Sequence, residues 1–465
     1  MPAPGKVDVI VGVQWGDEGK GKAVHYLLDA GKYEWCARYQ GGGNAGHTIY
    51  DQEDGQKVVL HSIPSGIVYE GMPCMLGNGE LVDLEDLKKE IATLTTAGKF
   101  RGKLYISDRA HVTHPYLKEL ESGSGDKTKF GTTGHAIGPT YMLMVARKGL
   151  RVCDFESRQK VADRIREGIE FTAAAMLSRD TLYALSGRKN PLSGGEKKLL
   201  KKLLSPEYAR DMAGAQMKLF DGITESAEIA DCSYTIGKWI EEGKSGLAEG
   251  AQGTGLSIYH GTYPDVTSSN TEAGGACTGL GTGPGKIGKV YGVAKAYVTR
   301  VGTGPFPTLM DSNTEEAVRK KGSEFGATTG RPRRCGWWDS VLARHAVRVS
   351  GIDELIITKP DILSGMDRVI AATAYRKADR EEKTELFPPD LVWDNKEIPN
   401  SSNYSGAMDY EQRGWKPFKN IDFPKELSDY LAFIENSCGA PVTILSTGPG
   451  INDTVELKGK SGIYN

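Results

Sequence analysis

No apolar run in this 465-residue chain approaches the ~20 residues that a membrane-spanning helix needs. No two of its seven cysteines form a CxxC pair either. Cys36, Cys74, Cys153, Cys232, Cys277, Cys335 and Cys438 are scattered and odd in number, which suits reduced thiols and neither a disulfide frame nor a zinc site. Net charge is nearly absent: 58 basic side chains face 60 acidic ones, for a formal charge of −2. Without a basic field, neither nucleic acid nor an anionic membrane is an expected partner. The first residues, MPAPGKVDVIVGV, lack the layout of a signal peptide and run straight into a strand pattern. The expected compartment is cytoplasmic. Internal repeats, low-complexity tracts and a clean linker are missing too. Residues 1–465 therefore read as a single domain, with a helical subregion at about 154–245.

What the chain has in excess is glycine. It carries 59, where average usage near ~7% would supply little more than half as many. They cluster at 41–46, 131–138, 274–288, 302–304 and 448–450. Such clusters mark turns, or places where backbone must approach a ligand closely. Together they suggest a large site assembled from many loops. The remaining composition, 39% apolar and 25% charged, is that of an ordinary soluble globular chain.

Val7–Val13, VDVIVGV, is apolar and β-rich with a glycine near its end, as a buried strand of a parallel sheet requires. Further strands are expected at Leu104–Ser107, Lys289–Val293, Glu354–Ile357 and Pro441–Leu445. Helices are expected at Ala23–Ala30, Leu84–Thr96, Arg158–Ser178, Ser226–Glu242, Asp339–Ser350 and Lys425–Asn436. Strands alternating with helices predict an α/β fold on a largely parallel sheet. Lys189–Leu204, rich in lysine and interrupted by Pro191 and Gly194–Gly195, is expected to be a surface excursion.

Gly16-Asp17-Glu18-Gly19-Lys20-Gly21-Lys22 follows the first strand. Its glycines let backbone N–H groups converge on phosphate oxygens, and the next helix adds a positive dipole end. Lys20 or Lys22 can neutralise phosphate charge. The spacing nearly matches a Walker loop, but Ala23 stands where Ser or Thr would hold magnesium, which leaves Asp17 as the candidate metal ligand. A tight turn with exposed lysines is the plainer alternative. Gly41-Gly42-Gly43-Asn44-Ala45-Gly46-His47-Thr48 also leaves room for a ligand, and His47 offers a proton donor near neutral pH.

Thr358-Lys359-Pro360-Asp361 follows the apolar run Leu355–Ile357. A carboxylate there can accept from N1–H and the 2-amino group of guanine, while the lysine stem covers the ring. TKPD is similar to the guanine-reading element of GTPases, although four residues taken alone fit an ordinary solvated loop better. Ser446-Thr447-Gly448-Pro449 follows another apolar strand and could line the same pocket. Thr328-Thr329-Gly330-Arg331-Pro332-Arg333-Arg334 sets three arginines beside two hydroxyls. Arginine forks bind carboxylates in bidentate fashion, so a dicarboxylic substrate would suit it; an exposed basic patch is the simpler account. Gly283-Pro284-Gly285-Lys286-Ile287-Gly288 fits GxGxxG but precedes a strand, which excludes a dinucleotide fingerprint.

QWGDEGKGK, GGGNAGHT, LHSIPSG, GTTGHAIGP, VARKGLRV, EGAQGT, HGTYPDVTSSNT, TRVGTGPFPT, EFGATTGRPRRCGW, TKPDIL and STGP occur in this order. From about Val7 to Gly448 the chain resembles the adenylosuccinate synthetase family, least so at 154–245 and 376–422. The resemblance implies a large, mostly parallel central sheet with peripheral helices, a P-loop-like GTP site and a homodimer. It implies ligation of IMP and L-aspartate with GTP, by way of 6-phosphoryl-IMP. Asp17 would be general base and Mg2+ ligand, Gly46 a second Mg2+ ligand through its carbonyl, and His47 the general acid. Gly16, Glu18, Gly19, Lys20, Gly21, Lys22 and Thr48 would hold GTP phosphates; Lys359, Asp361, Ser446 and Gly448 would hold guanine. Asn44, Thr133 and Thr267 would hold the IMP phosphate, with Arg147 supplied by the neighbouring subunit, and Gln252 would contact O6. Thr328, Thr329, Arg331 and Arg333 would grip aspartate.

The chain departs from the family pattern in places. His25 stands where an acidic residue is usual, Gly43 replaces a frequent histidine, and His135 a frequent arginine. Ser257 and Tyr259 lie where acidic residues are common. None removes a residue of that scheme. Two alternatives compete: a viral-type relative that takes dGMP in place of IMP, and a guanine-nucleotide-binding regulatory protein. The presence of Asp17 favours IMP over dGMP, because a carboxylate would crowd the purine 2-amino side.

Overall fold

Val7–Gly12 (β1) divides its side chains between two cores. Val7, Val9 and Val11 enter one and Ile10 the other. This is the period-two split of a strand covered on both faces. Each such aliphatic side chain, fully buried, contributes about 1.5–3 kcal/mol. The computed structural model describes residues 3–123, 134–187, 192–326, 330–392, 402–418 and 423–457.

Nine further strands complete the sheet: Trp35–Arg38 (β2), Pro73–Leu76 (β3), Lys103–Ser107 (β4), Ala227–Ala230 (β5), Gly246–Glu249 (β6), Ile287–Lys295 (β7), Glu354–Thr358 (β8), Val442–Ser446 (β9) and Thr454–Glu456 (β10). Their order is β5-β4-β3-β2-β6-β1-β7-β8-β9-β10. All neighbours are parallel except the last pair. The expected α/β class and mostly parallel sheet are therefore present. Parallel pairing leaves the carboxyl ends of β1, β6, β7, β8 and β9 along one edge, where loops of an open α/β sheet form a site.

The expected helix Leu84–Thr96 is reproduced, capped by the Asp83 carboxylate accepting from Glu85 and Asp86 N–H. The helix from Arg158 runs on to Leu185. Ser226–Glu242 is not one helix: Ala227–Ala230 pairs with β4, and only Cys232–Glu241 is helical. Asp231 divides the two by accepting from Tyr234 N–H as N-cap. Nor do Gly194 and Gly195 interrupt a helix. They form the first turn of Gly194–Leu203, behind a capping box of Ser193 and Glu196. No described helix is long and apolar enough to cross a membrane.

Candidate active site

The loop after β1 folds inward on its own carboxylate. Glu18, fully buried, accepts from Gln14 N at 3.1 Å, Gly16 N at 2.8 Å and Lys20 Nζ at 2.6 Å. Its side chain thus braces the loop and holds Lys20, which leaves only its main chain for a phosphate. Lys20 Nζ also donates to the Gln252 carbonyl. Gly19 begins the helix Lys20–Asp29 in a left-handed conformation, φ 93°, which glycine adopts at no steric cost. Lys22 Nζ donates to Gly448 O at 2.5 Å, and burial pushes its ammonium down to about 8 against the pull of Asp453 and Asp361. The two nominated lysines therefore face different walls.

Gly21 must be glycine for another reason: a Cβ there would lie 2.8 Å from the Cβ of His47. That contact brings the second glycine-rich segment against the first. His47 Nδ1 bonds Glu249 Oε1 at the end of β6. Glu249 also accepts from Ser65 N and Ser65 Oγ, both at 2.7 Å. Burial alone would raise its carboxyl, but His47, Arg38 and Ser65 hold it at about 2. An ionised carboxylate only accepts, so the His47 proton sits on Nδ1. Burial lowers the His47 pKa, with Glu249 opposing. Sequence reasoning does not single out Glu249, although it lies three residues before Gln252 in EGAQGT.

Gln252 closes the centre of the site. Its backbone is left-handed, φ 55°, and both amide atoms are buried without a hydrogen-bond partner. A Cβ on Gly41 would be 3.4 Å from Gln252 Oε1 and 3.5 Å from Asn44 Oδ1, so both amides converge there. Asn44 Oδ1 is likewise unpartnered. Thr267 N donates to Leu256 O at 2.8 Å. Thr48 lies beside His47 on a short strand, opposite Val59.

A third wall is charged. Arg333 Nε donates to Asp17 Oδ2 at 2.7 Å and its Nη1 to Glu324 Oε2 at 2.8 Å. Glu324, fully buried, also takes Lys295 Nζ at 2.9 Å, Lys359 Nζ at 2.8 Å and Tyr297 OH at 2.6 Å. Burial pushes the Lys295 ammonium down to about 8 despite Glu324. Asp361 Oδ1 is buried and unpartnered, and burial raises its carboxyl above the ordinary range. Lys359 N donates to Ser446 O at 2.8 Å, which places TKPD beside STGP. Asp17, Gln252, Lys359 and Arg147 all carry non-glycine positive φ, a strain that clusters at functional sites.

Arg147 is exposed and has no ion pair among the described residues; Arg331 is exposed on its loop. Thr133, Thr328 and Thr329 lie outside the described residues. Asp17, its side chain 34% exposed, offers carboxylate oxygens, while no cluster of three or more His, Cys, Asp or Glu is present among the described residues. So small a set suits Mg2+, which commonly takes one or two carboxylates and completes its shell with phosphate oxygens and water. The departures are accommodated: His25 bonds Tyr50 O and Tyr69 OH, and Ser257 Oγ accepts from Tyr259 and His260 N–H. His135 and Gly43 meet, a Cβ on Gly43 falling 3.3 Å from His135 Nδ1.

Residues 9–455 match the family model for adenylosuccinate synthetase. The adenylosuccinate synthetase of Thermodesulfovibrio yellowstonii is 42% identical over 95% of this chain and 96% of its own. That of Chlorobium phaeovibrioides is 41% identical over 96% of each. A fully ligated adenylosuccinate synthetase from Plasmodium falciparum superposes with a TM-score of 0.76 at 29% identity, covering 98% of this chain and all of that one. The succinoaminodeoxyadenylate synthetase of cyanophage S-2L, bound to dGMP and dATP, shares the fold at TM-score 0.60 but only 19% identity, over 97% of this chain and 95% of its own. On the family match and these near full-length relatives, the chain belongs to the adenylosuccinate synthetase family.

Proposed function

We infer that this chain joins L-aspartate to IMP using GTP, giving adenylosuccinate, GDP and phosphate. The observation that carries it is Gln252. Its amide is buried and unpartnered between the phosphate loop and Asn44, and an amide without partners suits an oxo group beside a ring N–H. Asp17 takes the N1 proton, which raises the nucleophilicity of O6. Arg333 occupies Oδ2 of Asp17 and leaves Oδ1 for that proton. O6 then attacks the γ-phosphate of GTP. Lys20, fixed by Glu18 and the Gln252 carbonyl, and His47, the general acid, which in its protonated form keeps Nδ1–H on Glu249 and donates from Nε2, stabilise the charge spread over the transferred group. Asp17 and the Gly46 carbonyl would hold magnesium, which would neutralise phosphate charge when bound. The aspartate amine finally displaces phosphate from C6, while Arg331 and Arg333 with Thr328 and Thr329 grip its carboxylates.

Asp361 and Lys359, with Ser446 and Gly448, read guanine. Thr48 joins the phosphate loop, and Asn44, Thr133 and Thr267 take the IMP phosphate with Arg147 from a second subunit. The dGMP-using alternative is not favoured: its cyanophage representative is far less similar than the bacterial relatives. The test is to supply GTP and aspartate with either IMP or dGMP and weigh the product. Adenylosuccinate from IMP alone is expected; a 2-amino product from dGMP would overturn the assignment.

A further inference from the structure

Glu324 is given no contact with the atoms that react, yet two residues with assigned roles, Lys359 and Arg333, bond to it. Its Oε1 takes Lys359 Nζ and Tyr297 OH; its Oε2 takes Lys295 Nζ and Arg333 Nη1. A carboxylate has about four lone-pair sites, so this one is saturated. It also stands at the foot of the arginine loop, where Arg333 N donates to Glu324 O at 3.0 Å.

We propose that Glu324 is a positioning residue that couples the guanine-reading end of the site to the aspartate-gripping end. This rests on the roles given to Lys359 and Arg333 under the proposed function. Among the described residues Lys359 Nζ has one other partner, Gly322 O at 2.7 Å, so any shift of its stem over a guanine ring is felt at Glu324. Arg333 divides its guanidinium between Glu324 and Asp17. What Glu324 gives up at Lys359 it offers to Arg333, and the reverse. Three cations, Lys295, Lys359 and Arg333, converge on Glu324. Without it, Lys359 keeps only Asp361 as a nearby carboxylate while Lys295 and Arg333 keep Asp17, and Arg333 is drawn from the incoming substrate carboxylate onto the base. Tight pairing inside a dry cluster transmits such changes far better than a solvated pair would.

The experiment is a double-mutant cycle on KM values. Wild type is measured first with GTP, IMP and aspartate; failure to form adenylosuccinate would sink the functional assignment, independently of any result from the variants. Lys359→Met, at a side chain 34% exposed, is expected to fold. It should raise the KM for aspartate, which it does not touch, by roughly fivefold or more, as coupled sites do. Glu324→Gln should raise KM for both GTP and aspartate. In the double variant the two aspartate effects should fall well short of multiplying, since the path is already cut. Glu324→Asp, which keeps the charge, should recover part of the loss. If Lys359→Met changes the KM for GTP and leaves that for aspartate unchanged, the coupling does not exist, whether or not Glu324→Gln folds. Aspartate effects that multiply in the double variant would equally overturn it.

Discussion

Arg333 Nε and Asp17 Oδ2 are 2.7 Å apart, so the residue assigned to grip aspartate is already bonded to the residue assigned as base. Both stay oriented before substrate arrives, and the arrival of one substrate alters the setting of the other. For an enzyme that must activate O6 before the amine attacks, this gives the base and the aspartate clamp a shared geometry.

Asp17→Asn is the direct test. The amide cannot take the N1 proton, and loss of a general base costs ~10²–10⁴-fold. Arg333 keeps its bond to Glu324, so the fold should hold. Titration calorimetry should show GTP binding largely retained while kcat collapses. A variant retaining more than about a tenth of the rate would remove Asp17 from that role.

Asp361→Asn should damage GTP use and favour xanthosine triphosphate, whose 2-oxo group accepts from the new amide. A site built to bond a group rejects analogues lacking it by up to ~10⁴–10⁵, so wild type should strongly prefer GTP to ATP. Burial raises the Asp361 pKa. The ionised form that accepts from guanine is therefore lost, on acidification, at a higher pH than for an ordinary aspartate. Measuring kcat/KM for the three nucleotides decides it: an unchanged preference in Asp361→Asn clears TKPD of guanine reading.

Arg147→Leu should weaken IMP use through a site shared between chains, as two-fold assemblies allow. Mixed with Asp17→Asn protein it should regain activity, because one site of a mixed dimer keeps both native residues. No recovery after confirmed subunit exchange would place Arg147 in its own chain's site.

Stability should carry a pH signature from Asp339. This residue caps the helix Ser340–Ser350 and accepts from Tyr375 OH at 2.6 Å. Burial raises its pKa from 3.8 to about 6, against the pull of Tyr375 and Leu342 N–H. The folded chain then binds this proton more tightly than the unfolded one. Its contribution is present at low pH and is lost as pH rises through about 6, a change on the order of 3 kcal/mol. Asp339→Asn keeps an acceptor for the cap and removes the titration. Urea midpoints taken at several values between pH 4 and 7 should slope less in the variant; parallel slopes would count against Asp339 as the source.

Much of the site is legible locally. β1, its loop and the next helix form one continuous signal, and TKPD and STGP each follow an apolar strand. What is not legible is buried charge. Glu249 and Glu324 sit in EGAQGT and EFGATTG as ordinary acids, and only the packing of distant segments brings them to His47 and to Lys359. The pair Glu249 and His47 is separated by 202 positions. β2, β3 and β6 also escape the sequence pattern: WCAR, PCML and GLAE are four residues each, too short to show a period. The expectation of one helix over Ser226–Glu242 fails for the same reason, a short strand hidden behind a cap that only pairing partners reveal.

The antiparallel β10 has a consequence for how this chain tolerates shortening. It covers the outer edge of β9, and an uncovered edge invites pairing between molecules. Just before it, Asp453 accepts from Gly450 N at 2.7 Å and Thr447 N donates to its carbonyl at 2.9 Å. One short piece of chain therefore both seals the sheet and ties the loop to which guanine reading is assigned. Deleting residues 453–457 should cost solubility and nucleotide affinity together, two losses that remote truncations ordinarily keep apart.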